Sequence, residues 1–267
     1  ITSLNLCAPE PVTPELIHYM LLALIGACFG SFVNIAALRQ RVGGEWTRPR
    51  SSQLERYRLL HFRKKIIVVG ILQYSKCCAI GNRRQRLRYL GVELALGALL
   101  PLAFWRLGVD DFPAAVPFIM LLSIIFLTDL DAFIIPDRTS LGGTGLGLAF
   151  AALETPGLPD LQKALLGGIG GFALIYSIRA LYRLWRRRDG MGFGDVKLMA
   201  MLGVWLGPFS LLPILFAASM AGAVFGIVMI LQAQNRQTSE PAQLPFGCFL
   251  VPAALGWLLF VPHALAA

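Results

Sequence analysis

From Leu16 to Leu38 the chain runs 23 residues without one Asp, Glu, Lys or Arg, and comparable apolar runs recur to its end. A helix that crosses a bilayer needs about 20 apolar residues, and these runs have that length. Spans are expected at 16–38, 91–108, 112–130, 139–154, 161–184, 197–212, 214–233 and 244–264. Pro208 and Pro213 should bound a tight turn, and Gly142, Gly143, Gly145 and Gly147 should let the fourth helix pack closely on a neighbour. With 56% hydrophobic and 15% charged residues, and mean hydropathy +0.65, the composition excludes an ordinary soluble domain. The expected fold is an all-α polytopic membrane protein of about eight transmembrane helices, with one large basic cytoplasmic loop after the first.

Charge sets the orientation. Residues 39–90 carry 14 Lys or Arg against Glu45 and Glu55, more positive charge than the net +9 of the whole chain. Basic loops stay in the cytoplasm, so this charge points to a membrane and not to nucleic acid. Counting crossings from there places both termini outside the cytoplasm. Asp129, Asp131, Asp137, Arg186 to Arg188 and Asp195 fall on the cytoplasmic side, and Asp110, Asp111, Glu154 and Asp160 on the far side. The organisation expected is a 1–15 extracytoplasmic segment, a 16–38 first helix, the 39–90 loop and a 91–267 membrane domain of seven helices. Ile1 to Glu15 hold two Glu and no Lys or Arg, so no cleavable signal peptide is read there. The cysteines Cys7, Cys28, Cys77, Cys78 and Cys248 form no CxxC pair. They read as packing residues, without a structural disulfide.

Against this apolar background two carboxylates stand out. Asp129 ends the apolar run that begins near Phe112, inside Phe126-Leu127-Thr128-Asp129-Leu130-Asp131. Asp195 follows Gly192-Phe193-Gly194 and precedes the run Leu198 to Leu215. Ionisable groups at membrane depth are costly and read as functional by default. Two carboxylates in a poorly hydrated place lose their protons in separate steps, which supplies one acid and one base for hydrolysing a peptide bond. Gly192 and Gly194 permit positive φ and remove side chains beside Asp195, so a substrate backbone has room to approach. Asp195 equally suits a helix N-cap, and Asp129, Asp131 and Asp137 beside Arg138 equally suit a solvated helix end. Lys197 is placed to offset negative charge in the cluster.

Together these motifs resemble the bacterial type IV prepilin peptidases, the GxGD membrane aspartyl proteases. The resemblance rests on Thr128-Asp129-Leu130-Asp131-x4-Pro136-Asp137 and on Gly190-Met191-Gly192-Phe193-Gly194-Asp195-Val196-Lys197-Leu198. Gly30-Ser31-Phe32-Val33-Asn34 with Arg39, Arg88-Tyr89-Leu90-Gly91-Val92-Glu93-Leu94 and Pro245-Phe246-Gly247 add to it, in order over nearly the whole chain. It implies catalytic roles for Asp129 and Asp195, with Asp131, Lys197, Gly192, Gly194, Glu93 and Arg88 in support; Glu93 equally suits a helix-end carboxylate paired with Arg88 or Arg86. The implied substrates are prepilins or type II secretion pseudopilins in the bilayer of the inner membrane, cut at its cytoplasmic face. The resemblance also implies N-methylation of the new amino terminus from S-adenosylmethionine, whereas proteolysis needs no cofactor. Many members carry two CxxC pairs in the first cytoplasmic loop; here roughly 46–87 holds only Cys77-Cys78, so zinc is not predicted. The alternative from another class is a proton-coupled transporter, which would need polar residues tracking across the bilayer.

Overall fold

A helix pairs its backbone polar groups within its own segment everywhere but at its two ends, the condition for crossing lipid. A computed structural model describes residues 14–41, 83–156, 158–187, 192–234 and 245–261. They form α1 (Pro14–Arg41), α2 (Arg83–Ala132), α3 (Asp137–Ala152), α4 (Leu161–Arg186), α5 (Phe193–Leu206), α6 (Leu211–Gln234) and α7 (Gly247–Phe260), with a 3₁₀ turn at Pro208–Ser210. No strand occurs among the described residues. The N-terminal segment, most of the basic loop with Cys77 and Cys78, and Arg188 lie outside them.

The predicted second and third helices are one element, α2, broken at Gly108 (φ 77°, ψ −175°). A side chain would be strained at that φ, so the glycine provides the break. Helical geometry resumes at once through Asp110 and Asp111. Across the break Phe104 meets Phe112 at 5.2 Å between ring centroids, and Arg88 pairs with Asp131. Both contacts converge on the glycine, so α2 is an antiparallel hairpin. The first arm also packs antiparallel to α1, Gly26 against Leu96, Gly30 against Glu93, and the Asn34 side chain donating to the Tyr89 carbonyl.

The second arm is the centre of the molecule. Phe118 stacks on Trp205 at 4.9 Å, and the Trp205 indole donates to the Gly143 carbonyl at 2.8 Å. Gly143 and Gly147 of α3 face Met201, Val204 and Trp205, whereas Gly142 and Gly145 face open space. Half of the predicted glycine stripe is thus a packing face. Matching positions rise together along α3 and α5, which run parallel. The tightest crossing lies between α4 and α5, where a Cβ on Gly203 would stand 2.0 Å from the Gly167 carbonyl oxygen.

Several predicted boundaries move. The second helix starts at Arg83 instead of residue 91, and the last begins at Gly247. The predicted 197–212 helix runs from Phe193 to Leu206 and ends at Gly207 (φ 78°). Pro213 sits inside the first turn of α6 instead of closing the turn before it. By length and apolarity, four described helices qualify as membrane spans: Leu16–Ala37, Leu87–Ala132, Leu161–Arg186 and Pro208–Leu231. At about 1.5 Å per residue the 46-residue stretch is twice as long as the hydrocarbon core is thick, as suits a hairpin. Leu21, Leu24, Leu165, Leu166, Phe216 and Ile230 turn outward, an apolar surface suited to lipid and not to water.

Candidate active site

Asp129 occupies the last turn of α2. The helix ends directly after it, where Phe133 takes a left-handed conformation (φ 53°) and its N–H donates to the Asp129 carbonyl at 2.9 Å. The connection then runs through Ile135 to Pro136, the N-cap of α3. Asp195 is the third residue of α5, whose N-cap is Gly192. It is therefore not an N-cap; its carboxylate reaches back and accepts from the Gly192 N–H, the return half of a capping box. Gly192 itself has φ −65°, so the expected use of positive φ is absent.

The two carboxylates, 4% and 8% exposed as residues, lie within electrostatic reach of each other. Ile135 holds this arrangement. A Cβ on Gly194 would lie 2.9 Å from the Ile135 Cβ, and one on Gly247 would lie 3.3 Å from its Cδ1 and 2.8 Å from Asp129 Oδ2. Gly194 thus lets α5 close on Ile135, in place of the substrate approach expected for it. Gly192 is less confined, since a Cβ there would meet Asp195 Oδ2 at 3.6 Å, an ordinary contact.

Electrostatics explains why two buried acids are tolerated here. The N-terminal turns of α3, α5 and α7 converge on the C-terminal end of α2. Helix N-termini carry partial positive charge and free N–H groups. The Cys248 N–H in the first turn of α7 donates to Asp129 Oδ2 at 2.9 Å and, more distantly, to the Pro245 carbonyl at 3.2 Å, and the Gly247 N–H bonds the same carboxylate. The Cys248 Sγ lies 3.6 Å from the Phe126 carbonyl and its thiol also hydrogen-bonds Asp129, so this cysteine, expected only to pack, touches the site. Its backbone was not anticipated: Pro245-Phe246-Gly247 marked a helix start, but spacing alone gives no sign of a partner 119 residues away.

The expected supporting residues divide. Arg88 bonds both carboxylate oxygens of Asp131, tying the hairpin's open end together beside Asp129. This removes Arg88 as the partner proposed for Glu93, which instead accepts from Ser31. Lys197 pairs with Asp137 and lies over the Phe193 ring at 5.1 Å, so its charge goes to the outer acid of the cluster. Among the described residues no group of three or more His, Cys, Asp or Glu is arranged to hold a metal ion.

Two buried aspartates thus lie within electrostatic reach at one end of a bundle of apolar helices, and similarity to known proteins gives that bundle a family. The type IV leader peptidase family matches residues 116–227, and the bacterial peptidase A24 N-terminal domain matches residues 24–107. A relative named prepilin leader peptidase/N-methyltransferase from Xanthomonas campestris is 30% identical over 261 residues, covering 88% of each chain. Those of the same name from Neisseria gonorrhoeae and Aeromonas salmonicida are 31% and 37% identical, over 75% and 52% of this chain and 66% and 45% of theirs. The chain belongs to the type IV leader peptidase family. It spans between 45% and 66% of the length of those last two relatives. No solved structure matches.

Proposed function

We propose that the chain is a membrane aspartyl endopeptidase that removes the short basic leader from type IV prepilins or type II secretion pseudopilins. The observation that carries this reading is the apposition of Asp129 and Asp195, buried in the end turns of α2 and α5. One carboxylate, ionised, takes a proton from a water whose oxygen attacks the scissile carbonyl carbon. The other, protonated, donates to the carbonyl oxygen. The tetrahedral species then collapses: the C–N bond breaks, the amine leaves with a proton, and the pair returns to one proton shared between two acids. The Cys248 and Gly247 N–H groups hold Asp129 during this exchange. A proton relay across the bilayer is disfavoured, because among the described residues the buried polar side chains Asn34, Thr128, Thr139 and Ser140 lie at the same end of the bundle as the aspartates, and Ser210 alone of those described lies elsewhere. Cells lacking the chain should accumulate uncut prepilin and recover processing when it is restored; unchanged processing without it would count against the reading.

The same proposal has eight crossings, the α2 hairpin contributing two, with the aspartates on the cytoplasmic side of the inner membrane. It is supported by the charge of residues 39–90. A reporter active only outside the cytoplasm should be silent when fused near Arg84 and active near Asp160. The reverse pattern would move both aspartates to the other face.

The relatives' printed name includes N-methyltransferase, which implies S-adenosylmethionine as methyl donor. The groove along α6 is lined by Met220, Ala221, Val224, Phe225, Val228 and Phe249. These side chains offer nothing to hydrogen-bond a ribose or adenine or to face a sulfonium with negative charge, so they do not fit that donor, and no step is derived through it.

A further inference from the structure

We infer that the groove between α6 and the first turn of α7 seats the apolar helix of the substrate; this rests on the leader-peptidase reading and locates its second binding surface. The groove holds about 520 Å³. Its floor is a stripe along α6, Met220, Val224 and Val228, spaced four residues apart, with Ala221 and Phe225 beside it. The stripe extends about 12 Å at 1.5 Å per residue, two turns of a docked helix. Its wall is Phe249, which packs on Phe225 at 5.6 Å between centroids.

Three observations favour a substrate helix over lipid alone. Phe249 directly follows Cys248, whose N–H holds Asp129. One turn of α7 therefore presents the catalytic carboxylate on one side and the groove on the other. A prepilin joins its cut site directly to its apolar helix, so both halves of that junction meet this turn. The occupant must be uncharged, because the lining has no polar side chain. Finally, α6 is the least covered of the four candidate spans, with 11% of its apolar window buried against 28% to 56% in the others. Helices recognised in grooves present anchors at spacings of three and four, which matches the stripe.

The test uses the whole chain in proteoliposomes with an intact prepilin. Val224→Trp fills the groove, and Ile230→Trp adds the same bulk on the far side of α6, where Ile230 is 60% exposed. Val224→Trp is expected to raise KM about tenfold with a much smaller change in kcat, and Ile230→Trp to leave both near the parent. Val224→Cys, with the prepilin carrying single cysteines along its helix, should crosslink at positions three or four apart. A parent that cleaves normally, a Val224→Trp variant with unchanged KM and no periodic crosslinking would overturn the groove and leave the peptidase reading standing. A parent that leaves prepilin uncut would remove both.

Discussion

Asp129→Asn and Asp195→Asn are each expected to lower the rate of prepilin cleavage by at least about a hundredfold, the scale for losing a positioned acid or base. That corresponds to roughly 2.7 kcal/mol of barrier at ~1.36 kcal/mol per tenfold. Asparagine keeps the size and most of the hydrogen bonding of aspartate, so the Cys248 N–H retains an acceptor and the fold is undisturbed; only the titrating proton is lost. The double variant should be little slower than either single one, because the two groups act as a unit. Asp137→Asn should be mild, since that side chain is 64% exposed and bonded to Lys197. Rates come from single-turnover cleavage in membranes, with expression checked for each variant.

Gly203→Ala should fail differently, by loss of the folded bundle. The added Cβ would stand 2.0 Å from the Gly167 carbonyl oxygen, backbone against backbone. Neither helix has a flexible side chain to yield, so α4 and α5 must separate. Overpacking of a tight interior costs about 1–3 kcal/mol and occasionally more, and this contact belongs at the upper end. Gly145→Ala is the control, because a Cβ there meets nothing within 4 Å and a helical glycine replaced by alanine gains up to about 1 kcal/mol. Thermal unfolding in detergent should show the first variant strongly destabilised and the second at or above the parent. Equal stability of Gly203→Ala would refute the close crossing.

Much of this was legible in the chain because lipid imposes simple rules. Apolar length located a helix in every predicted segment, and the positions of Asp129 and Asp195 at run ends marked them before any contact was known. Boundaries were less legible where hydropathy and helix geometry part company. Arg83 to Leu90 are polar enough to read as loop, yet they extend α2 and bring Arg88 to Asp131. Phe193 to Val196 look like an approach to a helix, yet they form its first turn and place Asp195 inside it. Glycines were the hardest to read. Gly142 to Gly147 drew notice by density, but of these only Gly143 and Gly147 face a neighbour, while Gly167 and Gly203 make the closest crossing. Which glycine faces which helix depends on the rotation of each element, and periodicity in one helix carries no information about its partner. The grip of α7 on Asp129 was hidden for the same reason.

Hydrolysis by this pair of aspartates would fall on the bond between a basic leader and an apolar helix. The direct measurement is mass spectrometry of a purified prepilin incubated with the purified chain in liposomes. Two products are expected, the leader ending in the glycine before the cut and the mature helix with a new amino terminus, formed by the parent and nearly absent with Asp129→Asn or Asp195→Asn. Intact prepilin after incubation with the folded parent, or the same products from either variant at the parent's rate, would contradict it.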